Sequence, residues 1–452
     1  MLHKNGKVQK LLLLLVLALL SSCATTNQFS RKEQKELDQM VRANPVFRNI
    51  HSGFALYDPE TREWLYQLDA QKYYTPASNT KLFTLYAFLT VCGDQMPAIR
   101  FANAPEGRIL QGTGNPLLLH PELPQDTNIW AGLLDTRRPL WYSTANFEDQ
   151  RLGPGWSWSD FGYCYQAEVS PMPVYGNLIH VEADTNRTGF LVFPPYYRTS
   201  FRYEPDLDDR SGVRFEREEF ANRFVYNRAA EGKSYFQRYI PIFDMINEAP
   251  VLLSDTLRRT VSDWPESREL PTTFRTVYSE TPDTMLRLFM HSSDNFLAEQ
   301  LLLCVSSELF DGRLNAGDAI DSVKTAYLSD LPDEPRWVDG SGLSRYNLFT
   351  PRSVVQLLEK MREDFGLERL LPLLPAGGVR GTIKSWYPGP DGEPYVFAKT
   401  GTLSNKHALS GYLRTRRGRV LIFSFMHNNY IGSSNQTKVE MQKVLEYVYA
   451  NY

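Results

Sequence analysis

Pro76-Ala77-Ser78-Asn79-Thr80-Lys81 runs without a break into Leu82-Phe83-Thr84-Leu85-Tyr86-Ala87-Phe88-Leu89. The second stretch is apolar on nearly every face of a helix, so it predicts a helix buried on all sides rather than an amphipathic one. The first stretch sets a hydroxyl and an amine three residues apart at the start of that helix, which brings both to one face. Serine is a weak nucleophile until a neighbouring base takes its proton. Lysine can be that base only if its pKa falls from ~10.4 toward ~7 to 8, a shift of ~3 units worth ~4 kcal/mol that burial can supply. The helix N-terminus also offers backbone N–H groups to a developing oxyanion. Ser78 and Lys81 are therefore the first candidate catalytic residues, in the only Ser-x-x-Lys of the chain.

Upstream, Phe54-Ala55-Leu56-Tyr57 and Trp64-Leu65-Tyr66 flank Asp58-Pro59-Glu60 and predict a β-hairpin. Downstream, from about residue 99 to 264, the texture changes to Pro, Gly, Trp and Tyr with short β-like runs such as Leu178-Ile179-His180-Val181, and predicts an inserted, mainly β region. Helical periodicity returns over Asp283 to Leu303, carried by Met285, Leu286, Phe289, Phe296, Leu297, Leu301 and Leu302, and again over Pro351 to Phe365. Three strands follow at Tyr395–Thr400, Ala408–Thr415 and Arg419–Met426, and a closing helix covers Asn435–Tyr449. The pattern predicts an α+β fold, an antiparallel sheet with helices on its faces.

Two further motifs fall inside these elements. Ser293-Asp294-Asn295 is read within a helix, where Ser293 offers a hydroxyl for proton relay and Asn295 an amide for a substrate backbone. Ser433-Ser434-Asn435 repeats the pattern, but at the mouth of the closing helix, where capping accounts for it. Lys399-Thr400-Gly401-Thr402 ends a predicted strand. There the ammonium and hydroxyls could receive a terminal carboxylate, an edge strand could pair with an extended peptide, and Gly401 lets the backbones approach. Taken singly, each motif is as well explained by a cap or a solvated charge. The ordered triplet is what points to a penicillin-recognising serine site.

The bulk properties are compatible with such an enzyme. The chain has 452 residues, 42% hydrophobic and 22% charged, with a formal net charge of -3, which gives no electrostatic reason to expect nucleic acid. Lys4, Lys7 and Lys10 precede an apolar run from Leu11 to Leu20, suited to a secretory signal and about half the ~20 residues of a membrane span. Leu20-Ser21-Ser22-Cys23 looks like a bacterial lipobox, in which the chain is cut before Cys23 and that cysteine is acylated. Acyl chains at ~0.8 kcal/mol per buried methylene would hold the mature chain on a membrane. Cys92, Cys164 and Cys304 remain, with no zinc-type spacing; one disulfide from three pairings is open, and Cys304 reads as a buried thiol.

The chain resembles the penicillin-binding proteins, and more narrowly the class C, penicillin-binding protein 4 type D-alanyl-D-alanine carboxypeptidase/endopeptidases. The resemblance is carried by Pro76 to Lys81, Gly112-Thr113-Gly114-Asn115-Pro116, Pro154-Gly155-Trp156-Ser157-Trp158-Ser159-Asp160, Ser293-Asp294-Asn295 with Ala298-Glu299, Asp339-Gly340-Ser341-Gly342-Leu343-Ser344, and Lys399-Thr400-Gly401-Thr402-Leu403, in the family's order. It implies a β-lactamase/transpeptidase-like domain over 46–98 plus 265–452, split by a mainly β insertion over 99–264 that divides into one or two subdomains. Residues 1–22 would be the lipoprotein signal and 23–45 the anchor and tether.

The resemblance further implies Ser78 as the acylated nucleophile, Lys81 as its base and Ser293 as the relay. Asn295 and Lys399 would orient substrate, Thr400 and Thr402 would meet its carboxylate, and the backbone N–H groups of Ser78 and Thr402 would form the oxyanion hole. Asn115 departs from the aspartate usual in the family, and Asp160 could receive the amine of a diamino acid in the stem peptide or simply cap its turn. The implied partners are peptidoglycan stem peptides and cross-links, β-lactams as covalent inhibitors, and the membrane through a lipid anchor on the periplasmic side of the envelope, with no cofactor. The seven histidines include no His-Glu-x-x-His, and there is no Gly-x-Ser-x-Gly elbow or phosphate loop. Rival readings are a β-lactamase or esterase on the same scaffold and a catalytically silent peptidoglycan-binding protein; an activated hydroxyl argues against the second.

Overall fold

The computed structural model describes residues 30–133, 137–185, 189–208, 210, 212–232 and 235–452. Cys23 and the apolar run before it lie outside the described residues. Among the described residues, no helix is long and apolar enough to cross a membrane.

The expected hairpin forms from β1 (His51–Asp58) and β2 (Glu63–Leu68). A second, five-stranded sheet comes next in the chain, containing β3 (Gln95–Ala104), β4 (Gly107–Gln111) and β5 (Leu140–Tyr142). Two three-stranded sheets follow. One joins β6 (Leu178–Ala183) and β7 (Phe190–Phe193) to a later strand, and the other is made of β8 (Phe201–Tyr203), β9 (Phe215–Arg217) and β10 (Phe224–Tyr226). β11 (Gln237–Pro241) completes the first of these, and β12 (Val261–Asp263) and β13 (Arg275–Glu280) complete the second five-stranded sheet, in the order β12-β5-β4-β3-β13. The last strands, β14 (Val396–Leu403), β15 (Lys406–Arg414) and β16 (Val420–Asn428), return to the opening hairpin. They give an antiparallel sheet ordered β14-β15-β16-β1-β2, with β14 on its edge. The architecture is α+β, as the sequence predicts.

Both faces of that antiparallel sheet are covered, and the alternation of its side chains divides the core in two. Ala55, Tyr57, Tyr412, Ile422 and Met426 pack with the Lys81–Val91, Asn295–Leu309 and Pro351–Phe365 helices. Phe54, Leu56, Leu409, Phe423 and Phe425 pack on the other side with Leu37 and Val41 of the Arg31–Val41 helix and Met441 and Leu445 of the Asn435–Asn451 helix. A strand buried on both faces reads as a continuous apolar run, which is why Leu421 to Phe425 shows little alternation. Leu82, Phe83, Leu85 and Phe88 are fully buried, as the all-round apolar pattern requires.

Two expectations are corrected. Periodicity carries one helix from Asp283 to Leu303 with Ser293 to Asn295 inside it, but the structure has separate helices, Asp283–His291 and Asn295–Leu309. Ser293 sits at φ +62° and Asp294 caps the second helix, its side chain accepting from the Leu297 N–H at 2.8 Å. The cap satisfies a helix-end donor and so stabilises a break that hydrophobic spacing alone does not register. The disulfide open to the three cysteines is not formed, since Cys92, Cys164 and Cys304 are all free thiols; Cys304 is fully buried.

Candidate active site

Ser78 lies in a 3-10 turn, Ala77–Thr80, that leads directly into the Lys81–Val91 helix. Just before Ser78 the turn passes through Ala77 at φ +49°, a left-handed conformation that an L-residue adopts at a cost. Its neighbours fix it. Thr80 Oγ1 donates to the Ala77 carbonyl at 2.9 Å, and Asn79 Nδ2 donates to the Lys399 carbonyl on β14 at 2.8 Å. Gly401 allows β14 to lie against the turn: a Cβ there would stand 2.2 Å from the Pro76 carbonyl oxygen and 3.1 Å from the Ser78 nitrogen.

Lys81 is fully buried behind the half-buried Ser78. Its Nζ donates to Ser78 Oγ at 3.1 Å, to Asn295 Oδ1 at 2.6 Å and to the Ser341 carbonyl at 2.7 Å. Loss of solvation lowers its pKa to about 8, against the opposing pull of Glu299, Asp339 and Asp294. Lys399 is equally buried, and its Nζ donates to Ser293 Oγ at 2.8 Å and to the Thr400 carbonyl at 2.9 Å. Burial and the nearby Lys81 charge push its pKa well down. The two ammonium groups thus discourage one another, which favours a neutral amine in the cluster near physiological pH.

Three motifs far apart in the chain are therefore linked by hydrogen bonds. Lys81 joins Ser78 to Asn295, and Lys399 joins β14 to Ser293. Asn295 Nδ2 also donates to the Tyr165 carbonyl at 2.9 Å, which ties the residue to the segment carrying Asp160. Thr400 Oγ1 donates to Thr382 Oγ1 at 2.7 Å, and Thr402 Oγ1 meets His407 Nδ1 at 3.0 Å. Burial lowers the His407 pKa to about 3, so the ring is neutral.

Ser78 and Ser293 open onto two recesses. One is walled by Thr382, Trp386, Thr400, Thr402, His407 and Lys438, the other by Asp160, Tyr165, Asn295, Gly342, Arg345 and Thr402 among others. Asp160 thus faces the same cleft as Ser78, from the end of a 3-10 turn, Trp158–Asp160. Asn115 is buried in its own turn, donating to the Pro97 carbonyl at 3.1 Å and accepting from the Leu117 N–H at 3.0 Å, so the amide satisfies that turn on both sides. Among the described residues, no group of three or more His, Cys, Asp and Glu side chains is placed to hold a metal ion.

Sequence reasoning gave no role to the group that positions Lys81 from behind. Glu299 accepts from the N–H groups of Gly340 and Ser341 at 2.9 and 2.7 Å, and burial beside Asp339 raises its pKa. Asp339 accepts from the Gly342 and Ser344 N–H groups, Asn347 Nδ2 and Trp156 Nε1, all at 2.7 to 2.9 Å. Together they shape the loop whose Ser341 carbonyl receives the Lys81 ammonium. A carboxylate that only Gln300 accompanies as a polar residue in the stretch Phe296 to Val305 was the signal available for Glu299.

The model of the D-Ala-D-Ala carboxypeptidase 3 (S13) family matches residues 33–197 and 265–450. The D-alanyl-D-alanine carboxypeptidase of Actinomadura sp. (strain R39) is 28% identical over 88% of this chain and 82% of its own length. The D-alanyl-D-alanine carboxypeptidase DacB of Haemophilus influenzae is 22% identical over 87% and 89%. The crystal structure of penicillin binding protein 4 (dacB) from Haemophilus influenzae has the same fold, with a TM-score of 0.70 over 92% of this chain and 98% of that one at 19% identity.

Proposed function

This chain belongs to the D-Ala-D-Ala carboxypeptidase 3 (S13) family, and on that premise we propose that it performs acyl transfer through Ser78. It is a serine-type peptidase of D-alanyl-D-alanine peptides. The observation that carries the assignment of Ser78 is the Lys81 amine 3.1 Å from its hydroxyl, buried and lowered toward neutrality.

In this reading neutral Lys81 takes the Ser78 proton as Oγ adds to the carbonyl carbon of the penultimate D-alanine. The oxygen that becomes negative is received by the backbone N–H groups of Ser78 and Thr402. The C–N bond then breaks as the proton taken by Lys81 passes through the Ser293 hydroxyl to the leaving amine, leaving Lys81 neutral and an acyl ester on Ser78. Water adds to that ester with Lys81 accepting its proton, and as the bond to Oγ breaks Lys81 returns the proton to Ser78, freeing the acid product. Asn295 and Lys399 orient the substrate while also bonding the Lys81 amine and the Ser293 hydroxyl, Gly401 lets the substrate backbone come close, and Thr400 and Thr402 meet the substrate carboxylate. Asp160 receives the amine of the stem diamino acid, supported by its place in the recess beside Ser78.

The substrate class is peptidoglycan stem peptides and their cross-links, the second making the enzyme an endopeptidase as well, and β-lactams acylate the same serine. Residues 46–98 with 265–452 form the catalytic part and 99–264 its insertion. Residues 1–22 are a lipoprotein signal, and acylated Cys23 with a tether to residue 45 holds the enzyme on the periplasmic side of the envelope. The sequence from Lys4 to Cys23 supports that placement. Ser78→Ala is expected to abolish covalent labelling by a fluorescent penicillin, and labelling that persists would move the nucleophile elsewhere. Digesting purified peptidoglycan with the chain from residue 24, and weighing the products, separates loss of terminal D-alanine from the cutting of cross-links.

A further inference from the structure

The recess walled by Trp386 and Thr400 is chemically one-sided. It contains the hydroxyls of Ser78, Ser293, Thr382, Thr400 and Thr402, the neutral imidazole of His407 and the ammonium of Lys438, with no aspartate or glutamate on its walls. Lys438 comes from the first turns of the Asn435–Asn451 helix, which no sequence motif connects with the site. Its Nζ lies 5.8 Å from the centre of the Trp386 ring, against the aromatic wall. Burial lowers its pKa, no carboxylate counters that effect, and no ion pair to it is present among the described residues. A half-buried cation without a counter-ion, beside hydroxyls that can donate, is built to receive an anion.

We propose that Lys438 is a substrate-binding residue that pairs with the carboxylate on the carbon next to the scissile nitrogen. The inference rests on the reading of Ser78 as nucleophile and extends it to the leaving group. Thr400 and Thr402 supply neutral hydrogen bonds to that carboxylate, and Lys438 supplies the full charge. Lys399 is fully buried behind the wall, with its ammonium engaged by Ser293 and Thr400. A terminal D-alanine carries this carboxylate, and so does a cross-link whose donating amine sits on a carbon bearing a carboxylate, so Lys438 serves both of those cuts. Trp386 and Ile383 give the rest of the leaving group an apolar wall.

The test uses two thioesters, an N-acyl-D-alanyl thioacetate and its carboxamide, because the thiol leaving group keeps both measurable. Lys438→Met keeps most of the side-chain stem. It is expected to lower kcat/KM about 10- to 50-fold on the acid and less than about 2-fold on the carboxamide, with Lys438→Arg restoring most of the loss. Stoichiometric labelling of Lys438→Met by a saturating fluorescent penicillin checks that the site is folded. Equal losses on both substrates, or no loss on the acid, overturn this inference alone. A wild-type chain that cleaves neither substrate overturns the function proposed above and this inference with it.

Discussion

Asn295 Oδ1 stands closer to the Lys81 ammonium than the Ser78 hydroxyl does, at 2.6 Å against 3.1 Å. A neutral amide in that position binds the amine without fixing a proton on it, which a carboxylate would do. In the proposed reaction Lys81 can act as base only when neutral. Its lowered pKa therefore gives acylation an acid limb: the rate falls as pH drops below about 8 and is level above it. Asn295→Asp places a negative charge against the ammonium and is expected to move that limb upward by about 1 to 3 pH units. Acylation by a fluorescent penicillin, followed across pH in both proteins, checks the shift; an unmoved limb would show that another group sets it.

Gly401→Ala addresses the contact between β14 and the nucleophile turn. The added carbon would meet the Pro76 oxygen at 2.2 Å and the Asn79 nitrogen at 2.9 Å, both backbone atoms that cannot swing away. Displacing Ser78 by even ~1 Å is expected to cost about 10²-fold in acylation. The measurement is kcat/KM alongside the thermal midpoint, and near-wild-type turnover would mean the turn does not need this close fit.

The Asp339 carboxylate satisfies four donors at 2.7 to 2.9 Å, two on each oxygen. In Asp339→Asn one end of the side chain becomes a donor facing two other donors. Leaving two buried donors unpaired costs about 2 to 6 kcal/mol. A fall of that size in unfolding free energy from urea titration, together with slower acylation as the Ser341 carbonyl drifts from Lys81, is the expected result. A variant as stable as wild type would show that the loop is held by other means.

The parts of this molecule that sequence reveals are those governed by short-range rules. Ser78 and Lys81 share a turn, β14 ends in its own motif, and the buried Leu82 to Leu89 stretch follows from composition alone. The break at Ser293 escaped because Asp283 to Leu303 keeps a helical spacing on both sides of it, while a single capping carboxylate decides the matter. The roles of Glu299, Asp339 and Lys438 were out of reach for a different reason, although the first two stand among the stretches that carry the resemblance. Their importance lies in what they face across the fold, whether the Ser341 loop or the Thr400 recess, and no spacing within the chain encodes that.

The complete burial of Lys81 also separates two properties that usually travel together in a protein amine. A lowered pKa leaves more of it unprotonated near neutral pH than a surface lysine, but nothing in bulk solution touches it. General amine-modifying reagents should therefore spare it and mark the surface lysines first. An electrophile that reacts with Lys81 must first be seated in the cleft beside Ser78, so selectivity at this amine would come from recognition of the cleft rather than from reactivity.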